Sequence, residues 1–257
     1  MPRTYFMEDL DAFSYREAVV GGAPIIVPVG SIEQHGPHLP LNTDVLLAKA
    51  MSAHVASAIG GIVAAPIVYG YKSQQRSGGG NHLGGTTSLD GATVIAIARS
   101  LVLEFARHGA KRLVFLNGHF ENYQFLYEGI ELATGELSAR GSDVSVMLLS
   151  YWDFVDEATI EEIYTDGFPG WNVEHGGVLE TSLMLHLYPE LVHSERIVDS
   201  PPATIPPYDI LPVRPELTPD SGCLSSAMAA TAATGKLLSE RTAQNLSKAV
   251  SAEFAPP

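Results

Sequence analysis

Short runs of β-branched and aliphatic residues alternate along this chain with longer segments of helical periodicity. That alternation limits the possible folds more than any other feature. Ala23 to Val29 reads as a buried strand, Asp44 to Ile59 as an amphipathic helix, and Ile62 to Tyr69 as a second strand. Leu89 to His108 reads as a long helix with Ser88 as its N-cap, Lys111 to Leu116 as a third strand, and Glu121 to Ala139 as a third helix. Val144 to Tyr151 gives a fourth strand, and Gly177 to Leu187 a helix that stops near Pro189. A βαβα order of this kind predicts an α/β fold, with a mostly parallel sheet covered by helices on both faces in three α/β/α layers.

The segment 193–222 breaks the pattern, because it holds seven of the 17 prolines and has little periodicity. Its Ile197, Ile205, Tyr208, Ile210 and Leu211 favour an ordered arm packed on the domain or on a neighbour over a free linker. Residues 225–254 then form an Ala-rich helix or helix pair that closes the fold. The expectation is one domain over residues 1–257.

Composition narrows the function classes. A formal net charge of −14 argues against nucleic acid, since phosphate binding needs clustered Lys and Arg, and it also argues against anionic membrane surfaces. The stretch Met1 to Glu17 lacks a signal-peptide core, and Pro28, Pro66 and Arg99 interrupt the apolar stretches, so no membrane span is expected. The single cysteine, Cys223, excludes an intrachain disulfide and a Cys-rich zinc site. It reads as structural and fits a cytoplasmic chain. The 17% charged content suggests surface hidden in an oligomer.

Two strand ends carry the chemistry. The first runs into Gly30 and then Ser31-Ile32-Glu33-Gln34-His35, the third into Gly118 and then His119-Phe120-Glu121. Each offers a Glu/His pair at i, i+2, which in extended backbone puts both side chains on one face. In open α/β sheets ligands gather beyond the carboxyl ends of the strands, so two neighbouring strands bring both pairs to one crevice. Asp44, at the start of the next helix, adds a third carboxylate. A lone Glu-x-His is more often a solvated polar stretch, and Asp44 is equally a natural N-cap after Thr43. It is the repetition of the pair after two glycine turns that favours metal binding. Imidazole and carboxylate donors suit Zn²⁺ or Mn²⁺. Five ligands exceed the needs of one catalytic zinc, so two ions sharing a carboxylate and activating a bridging water fit better.

A third cluster, Trp171-Asn172-Val173-Glu174-His175-Gly176-Gly177, runs into Glu180. Glu174 either favours a helix N-terminus or, with Glu180, orients His175 as a proton shuttle. The glycine-rich Ser77-Gly78-Gly79-Gly80-Asn81-His82 lacks the P-loop and dinucleotide spacings, and reads as a flexible substrate loop or a plain connection. No Gly-x-Ser-x-Gly elbow supports a serine hydrolase. His54, His108 and His186 sit within helical patterns as packing or surface residues. His38 and His193 stay undecided, with His38 near enough to the first pair to line a pocket.

The stretches VPVGSIEQHGPHLPLNTDVLLA, YGYKSQQRSGGGNHLGGTTSLDGAT, ARHGAKRLVFLNGHFEN, LLSYWDF, GWNVEHGGVLETSLML and SPPATIPPYDILPV together resemble the creatininase family. The resemblance implies a two-metal site, Zn²⁺ or Mn²⁺, with Glu33 and His119 on one ion, His35 and Glu121 on the other, and Asp44 bridging. It implies that Ser77, Trp152, Trp171 and His175 line the substrate pocket, that the chain forms a homohexamer, and that creatinine plus water gives creatine. Two positions depart from the family pattern. Phe120 stands where tyrosine is expected and Asn172 where aspartate is expected. Both lie near the substrate by this reading, and both remove a polar or charged handle. Two other readings therefore stay open: hydrolysis of another small cyclic or formyl amide, and a non-catalytic metal-bound binding protein.

Overall fold

In a computed structural model, which describes residues 5–254, four strands form one parallel sheet. In chain order the elements are α1 (Ala12–Val20), β1 (Ile25–Val29), α2 (Thr43–Ile59), β2 (Ile62–Val63), α3 (Gln75–Gly78) and α4 (Gly91–Arg107). There follow β3 (Arg112–Asn117), α5 (Tyr123–Ala139), β4 (Ser145–Ser150), α6 (Glu157–Ile163), α7 (Val178–Leu187) and α8 (Ala232–Phe254). The strand order is β2-β1-β3-β4, with β1 paired to β3 from Ile25↔Leu113 to Val29↔Asn117.

The period of two along each strand divides the core between the faces. Ile26, Val63, Val114, Leu116 and Leu149 pack with α2, α7 and α8. Ile25, Val27, Val29, Ile62, Leu113 and Phe115 pack with α4 and α5 on the other side. Both faces are covered, so β1 is buried along its whole length. This is the three-layer α/β/α arrangement expected from the alternation. Residues 1–4 and 255–257 of the expected single domain lie outside the described residues.

Several local expectations are corrected. Ile62 to Tyr69 forms only the two-residue β2. Pro66 has no N–H for a ladder, and Ile67 makes an isolated bridge to Val29. The N-cap of α4 is Asp90, whose carboxylate accepts from Thr93 N at 2.9 Å, while Ser88 Oγ turns to Asn81 Oδ1. Asp44 is not a cap, because α2 begins at Thr43 and the Asp44 carboxylate faces the sheet's edge. Glu121 lies in a 3₁₀ turn (Phe120–Asn122) before α5 rather than in extended chain. The C-terminal segment is one helix, with residues 225–231 outside it.

The proline-rich segment is tied to the rest of the fold. Ala203 N donates to Leu224 O, and Leu224 N donates to His175 O. Gln75 Nε2 donates to Arg214 O and Thr218 Oγ1, and Thr218 Oγ1 donates to Gly79 O. Among the described residues no helix is long and apolar enough to cross a membrane.

Candidate metal centre

Gly30 and Gly118, the residues that follow β1 and β3, lie against the first turn of α2. A Cβ on Gly30 would sit 2.5 Å from Val45 N, and one on Gly118 2.5 Å from Asp44 O. Glycine at both strand ends therefore lets α2 approach closely enough for Asp44 to stand between the two Glu/His pairs. Asn117 and Asn122 fix the second turn. Asn117 Nδ2 donates to His119 O at 2.7 Å, and Asn122 Nδ2 donates to Gly30 O at 3.0 Å.

The result is a buried cluster beyond the carboxyl edge of the sheet. His35 Nε2 lies 2.8 Å from Asp44 Oδ1, and His119 Nδ1 lies 3.0 Å from Asp44 Oδ2. His119 Nδ1 is also 2.9 Å from Glu33 Oε2, and His35 Nε2 is 3.6 Å from Glu180 Oε1. Each imidazole is oriented through its other nitrogen. His35 Nδ1–H donates to Glu33 O at 3.1 Å, and His119 Nε2–H donates to Tyr71 O at 3.0 Å. A backbone carbonyl on the far nitrogen is how a metal-binding histidine has its tautomer fixed.

Glu33 Oε1, His35 Nε2 and Asp44 Oδ2 are buried and make no hydrogen bond, although the last two have a titratable partner within 3.0 Å. Orphaned polar atoms at this depth are costly unless an ion satisfies them. The electrostatics agree. Burial opposes the charged form of Asp44, yet His35 and His119 hold its carboxyl well below the usual carboxylate range. Burial opposes the charged form of His35 and His119, but Asp44 and Glu180 around the first and Glu33 and Glu121 around the second raise both pKa values well above the ordinary imidazole range. A field that retains a proton there equally favours a divalent cation in its place. Two groups that could hold an ion share Asp44: Glu33, Asp44 and His119, and His35, Asp44 and Glu180.

As the side chains stand, Glu180 groups with His35 and Asp44 at the place where the resemblance implies Glu121. Glu180, expected to orient His175, stands beside His35. Glu121 is turned elsewhere: its Oε1 accepts from Ser77 Oγ at 2.5 Å and from Gln74 N at 2.8 Å, and its Oε2 lies 3.3 Å from His119 Nε2. Burial raises its carboxyl pKa. Glu174 does not orient His175 through any hydrogen bond either. It accepts from Leu179 N at 2.6 Å at the start of α7, and burial together with Glu180 pushes its pKa up to about 7.

A small cavity of ≈ 60 Å³ opens onto this cluster, walled by Ser77, Phe120, Trp152, Trp171, His175 and Tyr151. Phe120 stacks on Trp152 at 6.3 Å between ring centroids, and Trp171 meets Phe168 edge to face at 4.9 Å. Asn172 is exposed and does not line the cavity, so the departure there leaves the walls unchanged. Tyr151 and Gln34 had no sequence signal beyond their neighbours. The glycine-rich segment is no free loop, because Ser73 Oγ and Gln34 Nε2 both hold Gly78 O. His38 is buried away from the cavity, with Nε2 2.8 Å from Thr181 Oγ1, and burial lowers its pKa to about 4. His193 is exposed.

Cys223 packs behind the site, its Sγ 4.0 Å from His38 Nδ1, and burial pushes its thiol up to about 11. The thiolate fraction at neutral pH is then on the order of one in ten thousand. Ellman's reagent should find essentially no thiol in the native protein over an hour, and one per chain in denaturant. Full native reactivity would contradict the buried placement.

Carboxylates and imidazoles gathered in this way beyond a parallel sheet define an α/β protein with a candidate metal centre. The model of one family, described as creatinine amidohydrolase, matches residues 8–250. The chain belongs to the creatininase family. It is 51% identical over 259 residues to a creatinine amidohydrolase of Pseudomonas putida, covering all of both chains. It is 35% identical over 185 residues to a mycofactocin precursor peptide peptidase of Mycobacterium ulcerans (strain Agy99), over 67% of this chain and 62% of that one. Among solved structures, a manganese form of creatininase matches with a TM-score of 0.97 and 51% identity, over 99% of this chain and 100% of that chain. A mutant creatininase of Zn-Zn type matches with the same TM-score, identity and coverage.

Proposed function

We propose that this protein hydrolyses creatinine to creatine at a two-metal centre. The observation that carries the reading is the split of Asp44, whose two carboxylate oxygens each face a different imidazole. The full-length likeness to a creatinine amidohydrolase supports the substrate. Glu33, His119 and Asp44 Oδ2 would hold one divalent ion, and His35, Glu180 and Asp44 Oδ1 the other. Nitrogen and oxygen donors suit Zn²⁺ or Mn²⁺, the metals named for the two solved relatives. Bound there, such ions supply Lewis acidity and a water acidified toward neutral pH.

The chain's own residues do the rest. Phe120, Trp152 and Trp171 form flat apolar walls suited to a small planar ring. Hydroxide adds to the ring carbonyl carbon, the carbon–nitrogen bond of the ring breaks, and His175 carries a proton to the departing nitrogen. Water is thereby divided between the new carboxylate and the released guanidino nitrogen. Neither another cyclic or formyl amide nor a non-catalytic role has comparable support. With this reading goes a cytoplasmic homohexamer; of its parts, association alone has a structural support, in Tyr208 and Leu211 of the arm, which stand 58% and 82% exposed.

The test is direct. Protein loaded with Zn²⁺ or Mn²⁺ should convert creatinine to creatine, chelation should abolish turnover, and restoring either metal should return it. Metal-loaded protein that is inert toward creatinine but active on a lactam or formamide panel would overturn the substrate.

A further inference from the structure

Gln34 lies between the ligands Glu33 and His35, and no step above uses it. Its side chain is buried, and every polar group it has is engaged. Gln34 N donates to Thr86 Oγ1 at 3.1 Å. Its Nε2 donates its two hydrogens to Gly78 O at 3.2 Å and Gly222 O at 2.9 Å, and lies 3.1 Å from His175 Nε2 with no hydrogen left for it. Its Oε1 accepts from Gly36 N at 3.0 Å. The bonds reach the glycine-rich segment, the end of the proline-rich arm and the turn after His35. There is no slack, since a Cβ on Gly222 would overlap Gln34 Oε1.

The remaining group is the Gln34 carbonyl, which His175 Nε2 meets at 2.7 Å. That nitrogen matters because it also lies 4.0 Å from Glu33 Oε1, and His175 groups with Glu33 and His35 as a third set able to hold an ion. A ring nitrogen that donates N–H to a carbonyl has no lone pair for a metal. His35 and His119 give the contrast, since in both a carbonyl takes the far nitrogen and leaves the near one free toward Asp44.

We propose that Gln34 is a positioning residue that keeps His175 off the metal ions and available to carry a proton. The amide of Gln34, clamped between Gly78 and Gly222, fixes the carbonyl that occupies His175 Nε2. The activity part of this inference rests on the hydrolase reading above, and the metal-coordination part does not.

The experiment uses the Co²⁺-substituted protein, whose visible absorption reports ligand number and type without substrate. Gln34→Met keeps length and apolar stem but removes the clamp. It should change the Co²⁺ spectrum as His175 becomes a ligand, and lower kcat by about a hundredfold while KM moves little. Adding His175→Ala to Gln34→Met should return the spectrum to that of the unsubstituted protein. His175→Ala alone should leave the spectrum unaltered. Gly222→Ala, which pushes on Gln34 Oε1 from the arm, should act in the same direction, and its effect should not add to that of Gln34→Met. It serves as the test if Gln34→Met fails to fold. A spectral change with His175→Ala alone, or an unchanged spectrum in a folded Gln34→Met, overturns the proposal. Absence of creatinine turnover in the unsubstituted protein would instead overturn the substrate reading and leave the spectral result standing.

Discussion

Replacing Asp44 with Asn should strip the protein of both ions and reduce creatinine turnover by roughly 10³-fold or more, the scale of losing the site's main charge stabilisation. One side chain serves two groups, with Oδ1 toward His35 and Oδ2 toward His119. An amide keeps the shape but loses the charge and offers one acceptor in place of two. Elemental analysis of the purified variant beside a creatine assay checks both parts. Glu121→Gln is the informative comparison. Glu121 belongs to neither group that shares Asp44, and one of its oxygens is occupied by Ser77 and Gln74. That variant should retain more metal than Asp44→Asn. Two ions per chain in Asp44→Asn would rule out the shared carboxylate.

Gly235→Ala should lower the thermal midpoint by about 6–12 °C, corresponding to about 3 kcal/mol of overpacking in a domain of this size. Gly235 lies in the first turns of α8, where that helix crosses α7. A Cβ there would overlap the Ser182 carbonyl oxygen and lie 2.9 Å from His186 Cβ. The main obstacle is backbone, so no rotamer change relieves it and the helices must separate. Because α7 carries Glu180, separation should also weaken the metal group around His35. Gly135→Ala is the control. That position is exposed in α5 with nothing within 4 Å of a Cβ, so alanine there should be neutral or add up to about 1 kcal/mol of stability. Thermal melts of the metal-loaded proteins decide it, and equal midpoints for Gly235→Ala and the unsubstituted chain would contradict the packing argument.

By itself the sequence determined the order of strands and helices, the parallel sheet, and five of the polar residues at its carboxyl edge. These were legible because each depends on near neighbours: a period of two or 3.6, a glycine at a strand end, a Glu/His pair two residues apart. The weaker local signals were overruled where a nearby competitor won. Asp90 outranked Ser88 as a cap, and Pro66 cut short the strand begun at Ile62. How the polar residues are shared out was a matter for tertiary structure alone. Glu180 reaches His35 because α7 packs against α2 and α8, Glu121 is drawn off by Ser77 and Gln74, and Gln34 is locked by Gly222, 188 residues further on. Those outcomes depend on how distant segments are rotated and seated against one another, and no pattern confined to one segment records that.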